Sequence, residues 1–130
     1  MTLTNTGSRP TLKPGDIYWV EIHPSETRGS ELFKTRPFVI VSRFAANGVV
    51  KTVVGVPLSI GATAAESRSF RIYIPKEEII GAQDPKDCIA KCDAIRQIDV
   101  EERVRQKYGA LSATAFTAIG GGLAYLFDLR

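Results

Sequence analysis

Residues 34–43 read KTRPFVIVSR. The apolar run Phe38-Val39-Ile40-Val41 is unbroken and rich in β-branched side chains. That pattern predicts a strand over 37–43 covered on both faces. Lys34, Arg36 and Pro37 stand at its mouth. Pro37 biases Arg36 towards extended backbone and away from helix. Upstream, Gly15 punctuates before DIYWVEI at 16–22, an aromatic and β-branched strand that His23-Pro24 ends. Residues 24–35, PSETRGSELFKT, read as a polar loop. It is long for a compact domain, and such loops often carry function.

Downstream, Asn47-Gly48 is a hairpin signal leading into a third strand over Val49–Leu58. Residues 59–67 are small and polar and read as a loop. Phe70 to Ile74 alternates apolar and polar, giving a half-exposed strand. A further strand is predicted over about 87–96, with Asp87, Ile89, Lys91 and Asp93 on one face and Cys88, Ala90, Cys92 and Ala94 on the other. Asp99 and Glu102 have capping-box spacing and open a short helix through about Val104, with Gly109 stopping its continuation. Ser112 caps a last helix whose Phe116, Ile119, Leu123, Leu126 and Phe127 form one apolar stripe. Gly120-Gly121-Gly122 costs about 1 kcal/mol per glycine there. Close packing on the sheet and a kink both account for the run. The predicted fold is mainly β, or α+β: a small twisted antiparallel sheet with a short helix and a C-terminal helix.

The 130 residues fit one domain, with residues 1–12 a flexible lead-in and 13–130 the domain. Hydrophobic residues make up 44%, enough for a packed core without disulfides. Net charge is +3, and the excess lies in residues 1–75, which hold 9 basic and 5 acidic side chains. That bias is compatible with a nucleic-acid partner. On one strand Cys88 and Cys92 would lie about 13 Å apart, too far for a disulfide. With His23 the only histidine, metal ligands are scarce. These features point to a reducing, intracellular compartment. The first residues lack the apolar core of a signal peptide. Residues 110–127 carry no charge but include Ser112, Thr114, Thr117 and three glycines. They read as a helix buried against a sheet rather than a membrane span.

No phosphate-binding glycine loop, nucleophile elbow or metal-ligand set is present in the sequence. What remains are charged residues at strand ends, Arg28, Lys34, Arg36, Lys91, Asp93 and Arg96, with Ser59 closing the third strand. Such a set suits metal-free chemistry at a phosphodiester, where fixed cations stabilise developing negative charge. In RNA the 2′-hydroxyl adjoins the phosphate, so positioning does much of the work. Arginine is a poor proton shuttle, which makes Arg36 a phosphate clamp and leaves Lys91 or Asp93 to move a proton. The residues equally allow a plainer account. Arg36 then pairs with Glu31 at the surface, and Lys91 and Asp93 are a same-face strand pair.

Four stretches taken in order add to this: KPGDIYWVEIHP at 13–24, RGSELFKTRPFVIVS at 28–42, VVGVPLS at 53–59 and CDAIRQID at 92–99. Together they resemble the MazF/PemK (Kid) family of toxin endoribonucleases from bacterial toxin–antitoxin systems. The resemblance implies an SH3-like barrel in a single toxin domain over 13–130. It implies a cytoplasmic homodimer that cuts single-stranded messenger RNA by the 2′-hydroxyl route, without metal or cofactor, away from membranes, and that a cognate antitoxin neutralises. Arg36 falls on the family's catalytic arginine and Ser59 on its active-site threonine or serine. Lys91 and Asp93 fall on the arginine and aspartate used by the PemK branch. Arg28, Ser30, Glu31, Lys34, Arg96 and Gln97 are then expected to contact RNA. The chain departs from the family pattern at His23, Lys91, Ala94 and Gln97, and its loop after Pro24 is about two residues longer. These departures bear on the bases that fit, because RNA sequence is read on splayed-out bases. Two non-catalytic alternatives stand beside the enzyme: a CcdB-like gyrase inhibitor and an inactive RNA-binding module on the same fold.

Overall fold

The computed structural model describes residues 12–22, 34–43 and 51–129. Among these, the strands in chain order are β1 (Asp16–Ile22), β2 (Lys34–Ile40), β3 (Thr52–Ile60), β4 (Arg71–Ile74), β5 (Ile79–Ile80), β6 (Cys88–Lys91), β7 (Arg96–Asp99) and β8 (Val104–Leu111). Helix α1 (Val100–Arg103) separates β7 from β8, and α2 (Ala113–Phe127) closes the chain. The strands form an antiparallel sheet in the order β4-β6-β3-β2-β1-β8-β5, with β7 paired to β3 off that path.

The apolar run of β2 explains why the sheet has two cores. Successive strand residues point to opposite faces. Phe38 and Ile40 pack with Tyr18, Val20, Ile22, Val53, Ile98 and Val100, while Val39 packs with Ile17, Val56, Leu58 and Ile119. Both faces of β2 are therefore buried, as its unbroken pattern predicts. Burial of each such side chain contributes roughly 1.5–3 kcal/mol. Leu12, at the end of the expected lead-in, is itself buried in the first of these cores.

β3 changes partners along its length. Thr52–Gly55 pair with β7, Gly55–Pro57 with β2, and Leu58–Ile60 with β6. Pro57 sits where β3 leaves β2, a place where its missing N–H costs no ladder bond. Gly55 is required at the crossing, because a Cβ there would lie 2.7 Å from Ile98 Cδ1 and 3.2 Å from Phe38 Cδ2. On β2 the pairing with β3 ends at Phe38, so Arg36 and Pro37 face β1 alone. The two strands thus part at Pro37 and Pro57 and leave a gap.

Several expectations need correction. The strand predicted over 87–96 is broken by a 3-10 turn at Cys92–Ala94, which splits it into β6 and β7. The same-face relation of Lys91 and Asp93 ends with it. Residues 104–111 are not a stopped helix but β8, which pairs with β1 and β5. There Gly109 admits the carbonyl of Ile80, which a Cβ would meet at 2.9 Å. β2 begins at Lys34, three residues earlier than predicted, and takes Lys34 and Thr35 from the predicted loop. β3 runs to Ile60, so Ser59 lies within the strand. Phe127 leaves the apolar stripe and is 54% exposed. Both predicted helix caps are present: Asp99 accepts from the Glu102 N–H (2.9 Å) and Ser112 from the Ala115 N–H (3.1 Å). The Asn47-Gly48 turn and the loop at 24–33 lie outside the described residues.

Helix α2 packs over the turn and β4. Gly122 touches this surface, where a Cβ would lie 2.9 Å from Cys92 Sγ and 3.2 Å from Ile72 Cγ1; Gly120 and Gly121 face open space. Close packing therefore accounts for one glycine of the three, and α2 runs unbroken across all of them. No helix among the described residues is long and apolar enough to cross a membrane.

Cys88 and Cys92 are free and buried. Burial pushes the Cys88 thiol up to about 12 and the Cys92 thiol to about 11 from an ordinary value of 9.0. Raised folded-state values mean that the stability they contribute is present below about pH 9 and is lost as pH rises through 11 and 12. Between pH 8 and pH 10.5, the urea midpoint of the natural chain is expected to fall more than that of a Cys88→Ala, Cys92→Ala variant. Equal falls would show that the thiols contribute nothing to the pH dependence.

Candidate active site

The gap between β2 and β3 opens into a cavity of about 270 Å³. Ile22, Arg36, Phe38, Pro57, Leu58, Ser59, Lys91, Ala94 and Arg96 line it. Each polar side chain arrives on a rigid element. Arg36 stands at the exposed start of β2, two residues before Phe38 anchors the strand. Ser59 comes from β3 beyond Pro57. Lys91 ends β6 and Arg96 begins β7, so the Cys92–Ala94 turn sets both. The cavity floor is apolar, from Ile22, Phe38 and Leu58.

The electrostatics follow from that lining. Three cations and one hydroxyl meet there, and none of the described lining residues carries a carboxylate. An anion placed in this cleft gains from every charge around it. Lys34 lies two residues before Arg36, on the same side of β2, opposite Ile22.

The remaining predicted residues are placed differently. Asp93 does not line the cleft; both of its oxygens accept from Arg71, Nε at 3.1 Å and Nη2 at 2.8 Å. The hydrogen bond from Arg71 holds its carboxyl below the ordinary value, and Lys91 adds a smaller attraction. Gln97 lines a second cavity of about 210 Å³ with Glu21, Ile22, Thr52, Asp99 and Arg103. Its Nε2 donates to Thr52 Oγ1 at 3.0 Å. Ile22 belongs to both cavities, so they adjoin along β1. Arg28, Ser30 and Glu31, and with them the possible Arg36–Glu31 pair, lie outside the described residues. Among the described residues no three His, Cys, Asp or Glu side chains gather where a metal ion would be held.

Sequence reasoning missed Arg71. In FRIYI it reads as one polar position of an alternating strand, and only the register Arg71↔Lys91 brings it to the turn. Trp19, the chain's only tryptophan, packs edge-on against Tyr108 with centroids 5.5 Å apart.

The antiparallel sheet thus carries at a strand corner a cationic cleft whose lining suits an anion. The family described as PemK-like, MazF-like toxin of type II toxin-antitoxin system matches residues 13–127, and the chain belongs to that family. The endoribonuclease PemK of Escherichia coli is 27% identical over 113 residues, 87% of this chain and 80% of that protein. An endoribonuclease in complex with its cognate antitoxin from Mycobacterial species superposes with a TM-score of 0.64 at 20% identity, covering 93% of this chain and 97% of the other. MazF from Deinococcus radiodurans gives 0.66 at 21% identity, covering 93% and 98%. At these identities the two structures speak for the fold.

Proposed function

We propose that this chain is an endoribonuclease toxin that cuts single-stranded messenger RNA in the cytoplasm, without metal or cofactor, and that a cognate antitoxin restrains it. The observation that carries this reading is the convergence of Arg36, Lys91, Arg96 and Ser59 on one cleft with no carboxylate among its described lining. In the reaction the 2′-oxygen attacks the adjacent phosphorus and loses its proton to a base. The P–O5′ bond breaks, leaving a 2′,3′-cyclic phosphate and a 5′-hydroxyl. Arg36 clamps the phosphate through its planar fork and stays charged throughout. Ser59 donates to a non-bridging oxygen. Lys91, from the cleft lining, donates a proton to the departing O5′. Asp93, on the turn that follows Lys91, is the carboxylate proposed to take the proton of the 2′-hydroxyl.

Neighbouring nucleotides extend along the groove, with Lys34 and Arg96 towards the backbone and Gln97 in the adjoining cavity. Arg28, Ser30 and Glu31 are proposed as contacts from the preceding loop. The family relationship supports an antitoxin partner and a homodimer. The structures bearing on the antitoxin include the mycobacterial endoribonuclease solved with its cognate antitoxin.

The purified chain in excess EDTA is expected to cut single-stranded RNA at a recurring motif. Its products should accept phosphate from polynucleotide kinase directly, as 5′-hydroxyl ends do. Loss of cutting in EDTA, or 5′-phosphate ends, would contradict this mechanism.

A further inference from the structure

The cavity of about 210 Å³ beside the cationic cleft has a lining of different character. The cleft gathers Arg36, Lys91 and Arg96. The neighbouring cavity brings together the carboxylates of Glu21 and Asp99 and the amide of Gln97, with Arg103 as the one cation of its described lining. Val20, Ile22 and Ile98 are buried and give it an apolar floor. Arg96 and Gln97 are consecutive, so Cα atoms only about 3.8 Å apart serve the two cavities.

Strand alternation and register build the polar side. Gln97 and Asp99 are two residues apart on β7 and share a face, and Thr52 stands opposite Asp99. Gln97 Nε2 donates to Thr52 Oγ1 at 3.0 Å, which orients the amide and occupies its donor end. Its Oε1 accepts from no described residue. One oxygen of Asp99 accepts from the Glu102 N–H at 2.9 Å, and one of Glu21 accepts from Arg105. The second oxygen of each carboxylate is engaged by no described residue. The cavity thus presents oxygen acceptors above an apolar floor.

A phosphate does not suit such a lining, because two carboxylates repel it. A splayed-out nucleobase does, with its ring on the floor and its Watson–Crick edge towards the acceptors. Adenine N6 and cytosine N4 occupy matching places on that edge and carry two N–H donors each. Uracil and guanine carry a carbonyl oxygen there, which would set oxygen against oxygen and leave the acceptors without a partner. We propose that this cavity is the pocket for a base flanking the cut, and that Gln97, held by Thr52, selects adenine or cytosine there over uracil and guanine. This inference rests on the RNA-cleavage reading of the neighbouring cleft.

The test uses the full chain and a mixed-sequence single-stranded RNA whose new 5′ ends are mapped. One position beside the cut should admit adenine or cytosine and exclude uracil and guanine. The preferred base is then replaced by its amino-free counterpart, purine for adenine or pyrimidin-2-one for cytosine. The natural chain should cut that RNA about fivefold to a hundredfold more slowly, the range of one lost base contact. Most of this penalty should vanish in Gln97→Ala, which lacks the partner of the amino group, and Thr52→Val should shrink it. Urea midpoints of both variants guard against misfolding. Equal use of all four bases at every position beside the cut would overturn the proposal, as would the full penalty persisting in Gln97→Ala.

A second readout is affinity for 2′-O-methyl oligo(A), oligo(C) and oligo(U), which lack the nucleophile. The natural chain should bind oligo(A) or oligo(C) at least about fivefold more tightly than oligo(U), and Gln97→Ala should lose that preference. Equal affinity for all three would also overturn the proposal. If the natural chain cuts no RNA, the cleavage reading fails, and these affinities still decide whether the cavity selects a base.

Discussion

Arg36→Ala is expected to lower single-turnover RNA cleavage by about a hundredfold to a thousandfold, the effect typical of removing one preorganised charge at a reacting centre. The fold should not change, because Arg36 is exposed and its strand is anchored by the buried Pro37, Phe38, Val39 and Ile40. Arg36→Lys separates charge from geometry. It keeps the cation and loses the two-pronged hydrogen bonding, so an intermediate rate is expected. A urea unfolding curve alongside the rates guards against misfolding. Cleavage by Arg36→Ala at the natural rate would remove Arg36 from the mechanism.

The second large effect is structural. Phe38 is 2% exposed and packs in the core formed by Tyr18, Val20, Ile22, Val53 and Ile98. Phe38→Ala is expected to cost about 3–5 kcal/mol, from lost transfer energy and the cavity left behind. A domain has only about 5–15 kcal/mol in total, so the urea midpoint should fall steeply. Phe38 also floors the cleft two residues from Arg36. Cleavage measured per folded molecule should therefore fall as well, unlike the effect of a distant core deletion. A loss below about 1 kcal/mol would mean that the site collapses around the deletion and is not close-packed.

What was legible in the sequence was what local pattern controls. β1 matches its predicted bounds because aromatic and β-branched residues fill it from end to end. The unbroken apolar run in β2 gave away a strand buried on both faces. Asp99 and Ser112 announced two helix starts by side-chain chemistry alone. β8 stayed hidden because VRQKYGAL shows no regular alternation, and its pairing with β1 is interrupted by register shifts. The break at Cys92–Ala94 was hidden for another reason. Its cause is tertiary: α2 seats Gly122 on Cys92, and Arg71 draws Asp93 aside.

The site was legible to the same degree. Arg36, Ser59, Lys91 and Arg96 were marked by their places at strand ends, and the fold gathers all of them into one cavity. Asp93 carried the same mark, yet its side chain is claimed by an arginine twenty-two residues earlier in the chain. No local pattern encodes that pairing, because it depends on how β4 registers against β6.

The central claim is that the substrate's own 2′-hydroxyl attacks a phosphate held beside Arg36. The direct measurement compares two RNA strands of identical sequence, one with a single 2′-deoxy residue on the 5′ side of the cut. Cleavage at that bond should vanish, with binding nearly unchanged and neighbouring cut sites still used. Cleavage of the deoxy-substituted bond at the natural rate would contradict the account.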